Sequence, residues 1–175
     1  MGMGSQRNML RFLLKNPDVI TSVKDLPVFL PVILAIGYGE SGFNSDAAKK
    51  RNNFFGIANG NSSFNSVGSA FAFQASLFFK APYSEHKVTD ATTPYDQLRR
   101  IADSGYYSAN IDYSLPASQR PPNKHWTAAQ SADKYYADIK GFIDDALKVI
   151  NNGKVTSANV NQILASINNS SATNT

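Results

Sequence analysis

The residue best placed to do chemistry is Glu40, the first charge after a long uncharged run, in Ala35-Ile36-Gly37-Tyr38-Gly39-Glu40-Ser41-Gly42-Phe43. Burial at the end of such a run disfavours an ionised carboxylate and moves its pKa up toward neutrality, as a general acid requires. Cleavage of a glycosidic bond is one reaction that needs such a proton donor at the leaving oxygen. The same position also suits a helix-terminal glutamate that simply reaches water, and the local residues alone do not choose between the two.

Other chemistries find few ingredients. The chain has no cysteine, which removes thiolate metal sites, a cysteine nucleophile and any disulfide framework. Its two histidines, His86 and His125, lie far apart with no carboxylate at ligand spacing, so neither a zinc site nor a Ser-His-Asp triad is expected, and no metal or cofactor is called for. Gly37-Tyr38-Gly39 lacks the third glycine and the preceding strand of a phosphate loop.

The elements that must position Glu40 follow from apolar spacing and punctuation. A short helix over 8–14 should stop at Asn16-Pro17, because the residue before proline is pushed out of helical angles; 18–24 forms a second helical piece. Pro31 suits a first helical turn, where its missing N–H costs nothing, so a buried helix is expected over 31–40. A helical turn over 45–50 takes Ser45 or Asn44 as its cap, and Asn59-Gly60-Asn61-Ser62-Ser63 reads as a polar turn. Helices are expected over 67–80 and 95–104, the latter opened by Thr93-Pro94 and closed by Gly105. The proline-rich stretch 114–125 is a loop. The longest pattern, 128–150, aligns Tyr135, Ile139, Phe142, Ile143, Ala146, Leu147 and Ile150 on one stripe. Beyond Gly153 the composition turns to Ser, Asn and Thr, so 155–175 is expected to be a polar tail with a weak helix over 155–167 and a disordered end.

At 175 residues the chain suits one compact core, placed here over 1–154. Seventeen Lys and Arg against 13 Asp and Glu give a net charge of +4, which favours approach to polyanions. The cations are scattered, with short clusters only at Lys49-Lys50-Arg51 and Arg99-Arg100, so no stripe for a phosphate backbone is expected and nucleic acid is not a called partner. The most apolar stretch, 28–36, is about half the length that a membrane helix needs and contains Pro31, so no membrane span is expected. Arg7, Arg11 and Lys15 interrupt the N-terminal apolar residues, which therefore do not read as a signal peptide.

Residues 31–57, PVILAIGYGESGFNSDAAKKRNNFFGI, resemble the catalytic signature of bacterial β-N-acetylglucosaminidases of the autolysin and flagellar type, within the lysozyme-like superfamily. There a proline-started apolar helix ends in a catalytic Glu-Ser-Gly followed by an aromatic, and an Asn-Asn-Leu-Phe-Gly-Ile stretch comes about a dozen residues later. Glu40-Ser41-Gly42-Phe43 and Asn52-Asn53-Phe54-Phe55-Gly56-Ile57 fill those places. Further on, Phe64-Asn65-Ser66 sits where the family has Tyr-x-Ser, Ser104-Gly105-Tyr106 where it has Ala-Gly-Tyr, and Tyr136-Ala137-Asp138-Ile139 where a Tyr opens the closing helix. The resemblance spans about 31–150.

It implies a mainly helical α+β, lysozyme-like single domain that cuts the glycan strand of peptidoglycan. Glu40 is then the catalytic acid and Tyr106 a hydroxyl near the reacting sugar, while Ser41, Phe43, Asn53 and Phe55 are substrate-binding. Two departures stand out. The family's β-lobe, which often carries a second acidic residue, is reduced to residues 58–63 with no Asp or Glu, and about 113–134 is an insertion that includes His125-Trp126. Glu85, Asp90 and Asp96 are available as a base, but no spacing selects one. A single carboxylate suffices if the substrate's 2-acetamido oxygen or the muramic 6-hydroxyl supplies the nucleophile. A wall substrate implies an extracellular, periplasmic or virion-associated enzyme, and the lack of a recognisable export signal fits a phage-borne or otherwise delivered one, with virion or tail proteins as further partners. The alternative is a non-catalytic wall-binding or structural module on the same fold.

Overall fold

The computed structural model describes residues 3–107, 116–119, 127–151 and 153–174. Among the described residues eight α-helices follow one another: α1 (Met3–Lys15), α2 (Asp18–Ser22), α3 (Leu30–Ser41), α4 (Asp46–Arg51), α5 (Val67–Leu77), α6 (Pro94–Asp103), α7 (Ala128–Leu147) and α8 (Val160–Asn174). Short 3-10 turns lie at Ile57–Gly60, Val88–Asp90 and Ala117–Gln119.

Capping chemistry explains where several of these begin. Pro31 lies in the first turn of α3, Ser45 Oγ accepts from Ala48 N at the start of α4, and Thr93 accepts from Asp96 N just before Pro94 in α6. Ser66 and Ser69 close a reciprocal capping box on α5, and Thr127 and Gln130 do the same on α7.

Helix α3 is the centre of the domain. Residues 30–37 are buried around its whole circumference, as expected of a helix with no polar face. It packs against α7 and α6, which also pack on each other, while α1 lies on α7 and α8, and α2 on α5 and α8. Entry to α3 is fixed by the fully buried Gln97 of α6. Its Oε1 accepts from Phe29 N at 2.9 Å, and its Nε2 donates to Pro27 O and Val88 O at 3.2 and 3.1 Å, so its buried amide is satisfied.

The mainly helical expectation holds, but the α+β part does not. Among the described residues the only β-type pairing is an isolated antiparallel bridge between Phe29 and Lys154. The segment expected as a reduced β-lobe is a 3-10 turn closed by side-chain hydrogen bonds, because Ala58-Asn59-Gly60-Asn61-Ser62-Ser63 offers no alternating apolar face on which a strand pair could pack.

The C-terminal segment also differs from expectation. Val155, Ile163 and Ile167 are buried in the same core as the rest of the chain, and α8 continues to Asn174. Asp25 anchors this segment by accepting from Ser157 N at 3.0 Å and Ser157 Oγ at 2.7 Å, which holds its carboxyl below the ordinary value. The polar composition that suggested a tail from 155 onward belongs to the outer face of a helix whose apolar residues recur at i and i+4. No helix among the described residues is long and apolar enough to cross a membrane.

Candidate functional site

Glu40 occupies the last turn of α3. The helix ends on Gly42, which has φ 59° and donates its N–H to Tyr38 O at 2.7 Å. Phe43 follows at φ 63°, a left-handed conformation that bulky residues rarely adopt. Ser41 secures the turn: its Oγ donates to Gly37 O at 2.7 Å and accepts from Phe43 N at 3.1 Å. Two consecutive left-handed residues swing the chain away and leave the Glu40 carboxyl at an open helix end, where unpaired carbonyls disfavour negative charge.

Helices α3 and α7 run antiparallel past this end. Tyr38 meets Phe142 with ring centroids 5.1 Å apart, Gly39 faces Ile139, and Glu40 faces Tyr135. Gly39 makes the close approach possible, since a Cβ there would lie 2.4 Å from Ile139 Cδ1. Tyr135 is 5 % exposed, and its hydroxyl is buried with no hydrogen-bond partner of good geometry.

Tyr106 and Tyr135 face the carboxyl, and Tyr83 packs behind Tyr106. Tyr106, just after α6, lies 5.3 Å from Tyr135 between ring centroids and 6.4 Å from Tyr83, which follows α5. Tyr107 stacks on Tyr135 at 5.6 Å, and Phe78 backs both Tyr83 and Tyr106. This crowding desolvates Glu40 on one side and raises its pKa, with the Tyr135 hydroxyl pulling part of the way back, while the other side stays open to solvent. Desolvation, reinforced by the charge of Glu40, holds the Tyr106 and Tyr135 phenols well above their usual pKa, so both are neutral donors. Burial also raises Tyr83.

No second carboxylate is among the groups that shift Glu40. Asp96 pairs with Arg100 at 3.0 Å, Asp103 pairs with Arg99 at 2.6 Å, and Glu85 and Asp90 are exposed. Asp112, Tyr113, His125 and Trp126 lie outside the described residues. Among the described residues no group of three or more His, Asp or Glu is arranged to hold a metal ion.

Of the residues expected at the site, Tyr106 is brought to Glu40. The others are placed differently from the substrate contacts expected of them. Ser41 is occupied in ending the helix. Phe43 turns away from the tyrosines and stacks on Phe12 at 3.8 Å, because its left-handed backbone points the ring toward α1. Asn53 is 1 % exposed and devoted to the 57–62 turn: it donates to Ile57 O at 2.9 Å and Ser62 O at 3.0 Å, and accepts from Ile57 N at 3.1 Å. Phe55, 7 % exposed, packs edge-on against Phe71 at 5.0 Å and against the face of Gly37, one turn below Glu40. Asn53 and Phe55 thus support the site from within.

Tyr135, Tyr107 and Tyr83 escaped the sequence reading. Tyr136, which resembled the family's closing-helix tyrosine, lies under Arg99 at 5.2 Å, and its neighbour Tyr135 faces Glu40. The available signal was the α7 stripe itself, in which Tyr135 is the only member with a polar tip. Comparison with known proteins brings no match: no family model, curated protein or solved structure is significantly similar to the chain.

Proposed function

We propose that this chain is a peptidoglycan-cleaving glycosidase on a lysozyme-like helical scaffold, with Glu40 as its one catalytic carboxylate. The observation that carries the reading is the setting of Glu40: a helix-terminal carboxyl with a raised pKa, open to solvent on one side and faced by Tyr106 and Tyr135 on the other, with Tyr83 packed behind Tyr106. A raised pKa lets the carboxyl keep its proton to higher pH than a free glutamate does, and neutral phenols offer hydrogen bonds to sugar hydroxyls without adding charge. Half-buried aromatic faces suit the apolar faces of pyranose rings.

In the reaction, Glu40 donates its proton to the glycosidic oxygen as the C1–O bond breaks. With no carboxylate among the described residues coupled to Glu40, the nucleophile comes from the substrate: the 2-acetamido carbonyl oxygen bonds to C1, giving a cyclic oxazolinium ion. Glu40, now ionised, takes a proton from the water that opens this ring, or from the muramic 6-hydroxyl if that group closes a 1,6-anhydro product. Tyr106 flanks the reacting sugar, Ser41 fixes the helix end that carries the acid, and Asn53 and Phe55 stabilise the fold around it. Such an enzyme works outside the cytoplasm or from a virion, where its wall substrate is met.

A second reading, a non-catalytic wall-binding module, draws on the same lack of a coupled carboxylate. Lysis of wall suspensions by the parent and by Glu40→Gln separates the two. The amide cannot donate the proton, and the rate should fall about 10²–10⁴-fold; unchanged lysis by the folded variant would remove Glu40 from the catalytic role, and no lysis by the parent would leave the binding module. In the same assay, alanine at Glu85, Asp90, Asp96, Asp103 or Asp112 should leave lysis intact, and a loss equal to that of Glu40→Gln would identify a second catalytic carboxylate.

A further inference from the structure

Two clusters of cations that were unconnected in the sequence meet in the fold. Arg11 and Lys15 lie one turn apart on α1, Lys49 lies on α4, and all three line a recess of about 480 Å³ between these helices. That volume falls within the roughly 300–1,000 Å³ of small-ligand sites. All three side chains are exposed and make no ion pair with the described residues, and no carboxylate lines the recess. Uncompensated positive charge converging on a concavity attracts anions.

The rest of the lining narrows the ligand. Asn8 and Asn44 are exposed amides at the rim, and Phe43, half-buried, presents its ring beside them. A uniformly charged phosphodiester polymer has no use for phenyl faces, whereas an acidic peptide offers carboxylates, amides and alkyl groups together. The recess also adjoins the proposed active site along the chain, since Gly42 and Phe43 line it and Glu40 lies two residues before Gly42.

We infer that the recess between α1 and α4 binds the carboxylate-bearing peptide stem of the wall strand whose glycan lies at Glu40. This inference rests on the proposed wall substrate, but it concerns binding, and its test needs no turnover. Arg11 and Lys49 hold stem carboxylates by charge-assisted hydrogen bonds, and Phe43 packs on the alkyl part. Phe43, expected at the glycan cleft, thereby acts on the peptide.

The test is co-sedimentation of the full chain with insoluble purified sacculi, in the Glu40→Gln background so that the polymer stays intact. Arg11→Gln/Lys49→Gln should bind about tenfold more weakly, given the usual strength of charge-assisted contacts, while Arg11→Lys/Lys49→Arg should retain most of the affinity. Amidating the sacculus carboxylates should weaken the parent protein to the level of the Gln variant and erase the difference between them. Equal binding of the Gln variant and its parent to untreated sacculi would overturn the inference. So would a difference that survives amidation, or one that disappears only when phosphate polymers are stripped from the wall. Full lysis by Glu40→Gln would remove Glu40 from the catalytic role and leave this binding difference standing; a missing binding difference would leave the chemistry of Glu40 untouched.

Discussion

The buried hydroxyl of Tyr135, which has no hydrogen-bond partner of good geometry, faces the carboxyl of Glu40 across the antiparallel contact of α7 and α3. A buried, unpaired donor is costly unless something in the working state accepts from it. Here the acceptor is the ionised form of Glu40, so Tyr135 sets how readily the acid gives up its proton.

Replacing Tyr135 by Phe should therefore raise the pKa of Glu40 further, because the one interaction that lowers it is gone. An acid that must be protonated loses activity as pH rises through its pKa, so the alkaline limb of the pH–rate profile should move to higher pH. Melting temperature should stay level or rise slightly, since an unsatisfied buried hydroxyl is removed. A limb that stays put or moves down in pH would show that Tyr135 does not act on Glu40.

Glu40→Gln carries a stability signature of its own. The folded-state pKa of Glu40 lies above the ordinary glutamate value of 4.5, so the folded protein holds this proton more tightly than the unfolded chain does. The stability gained is complete below the unfolded value and is lost as pH rises through the folded one. Glutamine never ionises and avoids that loss. Thermal melts should coincide for the two proteins below pH 4.5 and favour Glu40→Gln at about pH 7. A variant that melts lower near neutrality would mean that the ionised carboxylate is held by a stabilising partner.

Gly39→Ala should force the buried end of the Ile139 side chain, or α7 with it, away from α3. The new methyl would sit 2.4 Å from Ile139 Cδ1, an overlap of the kind that costs about 1–3 kcal/mol. Any separation also moves Glu40 from Tyr135, so lysis should fall along with stability. Ile139→Val deletes the clashing atom. In that background Gly39→Ala should be neutral or stabilising, because Ala is the better helix former by up to about 1 kcal/mol. Failure of this rescue in chemical denaturation would place the tight contact elsewhere.

Asn53→Ala should destabilise by about 1–3 kcal/mol by removing the side-chain partner of the Ile57 N–H and of the Ser62 carbonyl. Phe55→Ala should cost roughly 3–5 kcal/mol as a core truncation. In both variants the rate per folded molecule, measured below the melting range, should stay near that of the parent. A large fall in that rate with melting unchanged would return these residues to direct substrate contact.

Helix ends are set by contacts within a few residues, and these were legible in the chain. Pro31 in the first turn of α3, Ser45 before α4, Thr93-Pro94 before α6 and the position of Glu40 at the close of an apolar helix all followed from local chemistry. The partners of Glu40 are another matter, because Tyr83, Tyr106 and Tyr135 come from separate segments and meet only once α3 is buried against α6 and α7. Tyr135 and Tyr136 differ by about 100° around one helix, and the packing face decides which of them touches the acid. The backbone sign at Phe43 sent its ring to α1, and the hydrogen-bonding demand of a short turn drew Asn53 inward. Val155, Ile163 and Ile167 looked like part of a polar tail because their neighbours are polar. Docking of α8 on α1 and α2 made them core, since an apolar stripe has value only against a surface that the rest of the fold provides.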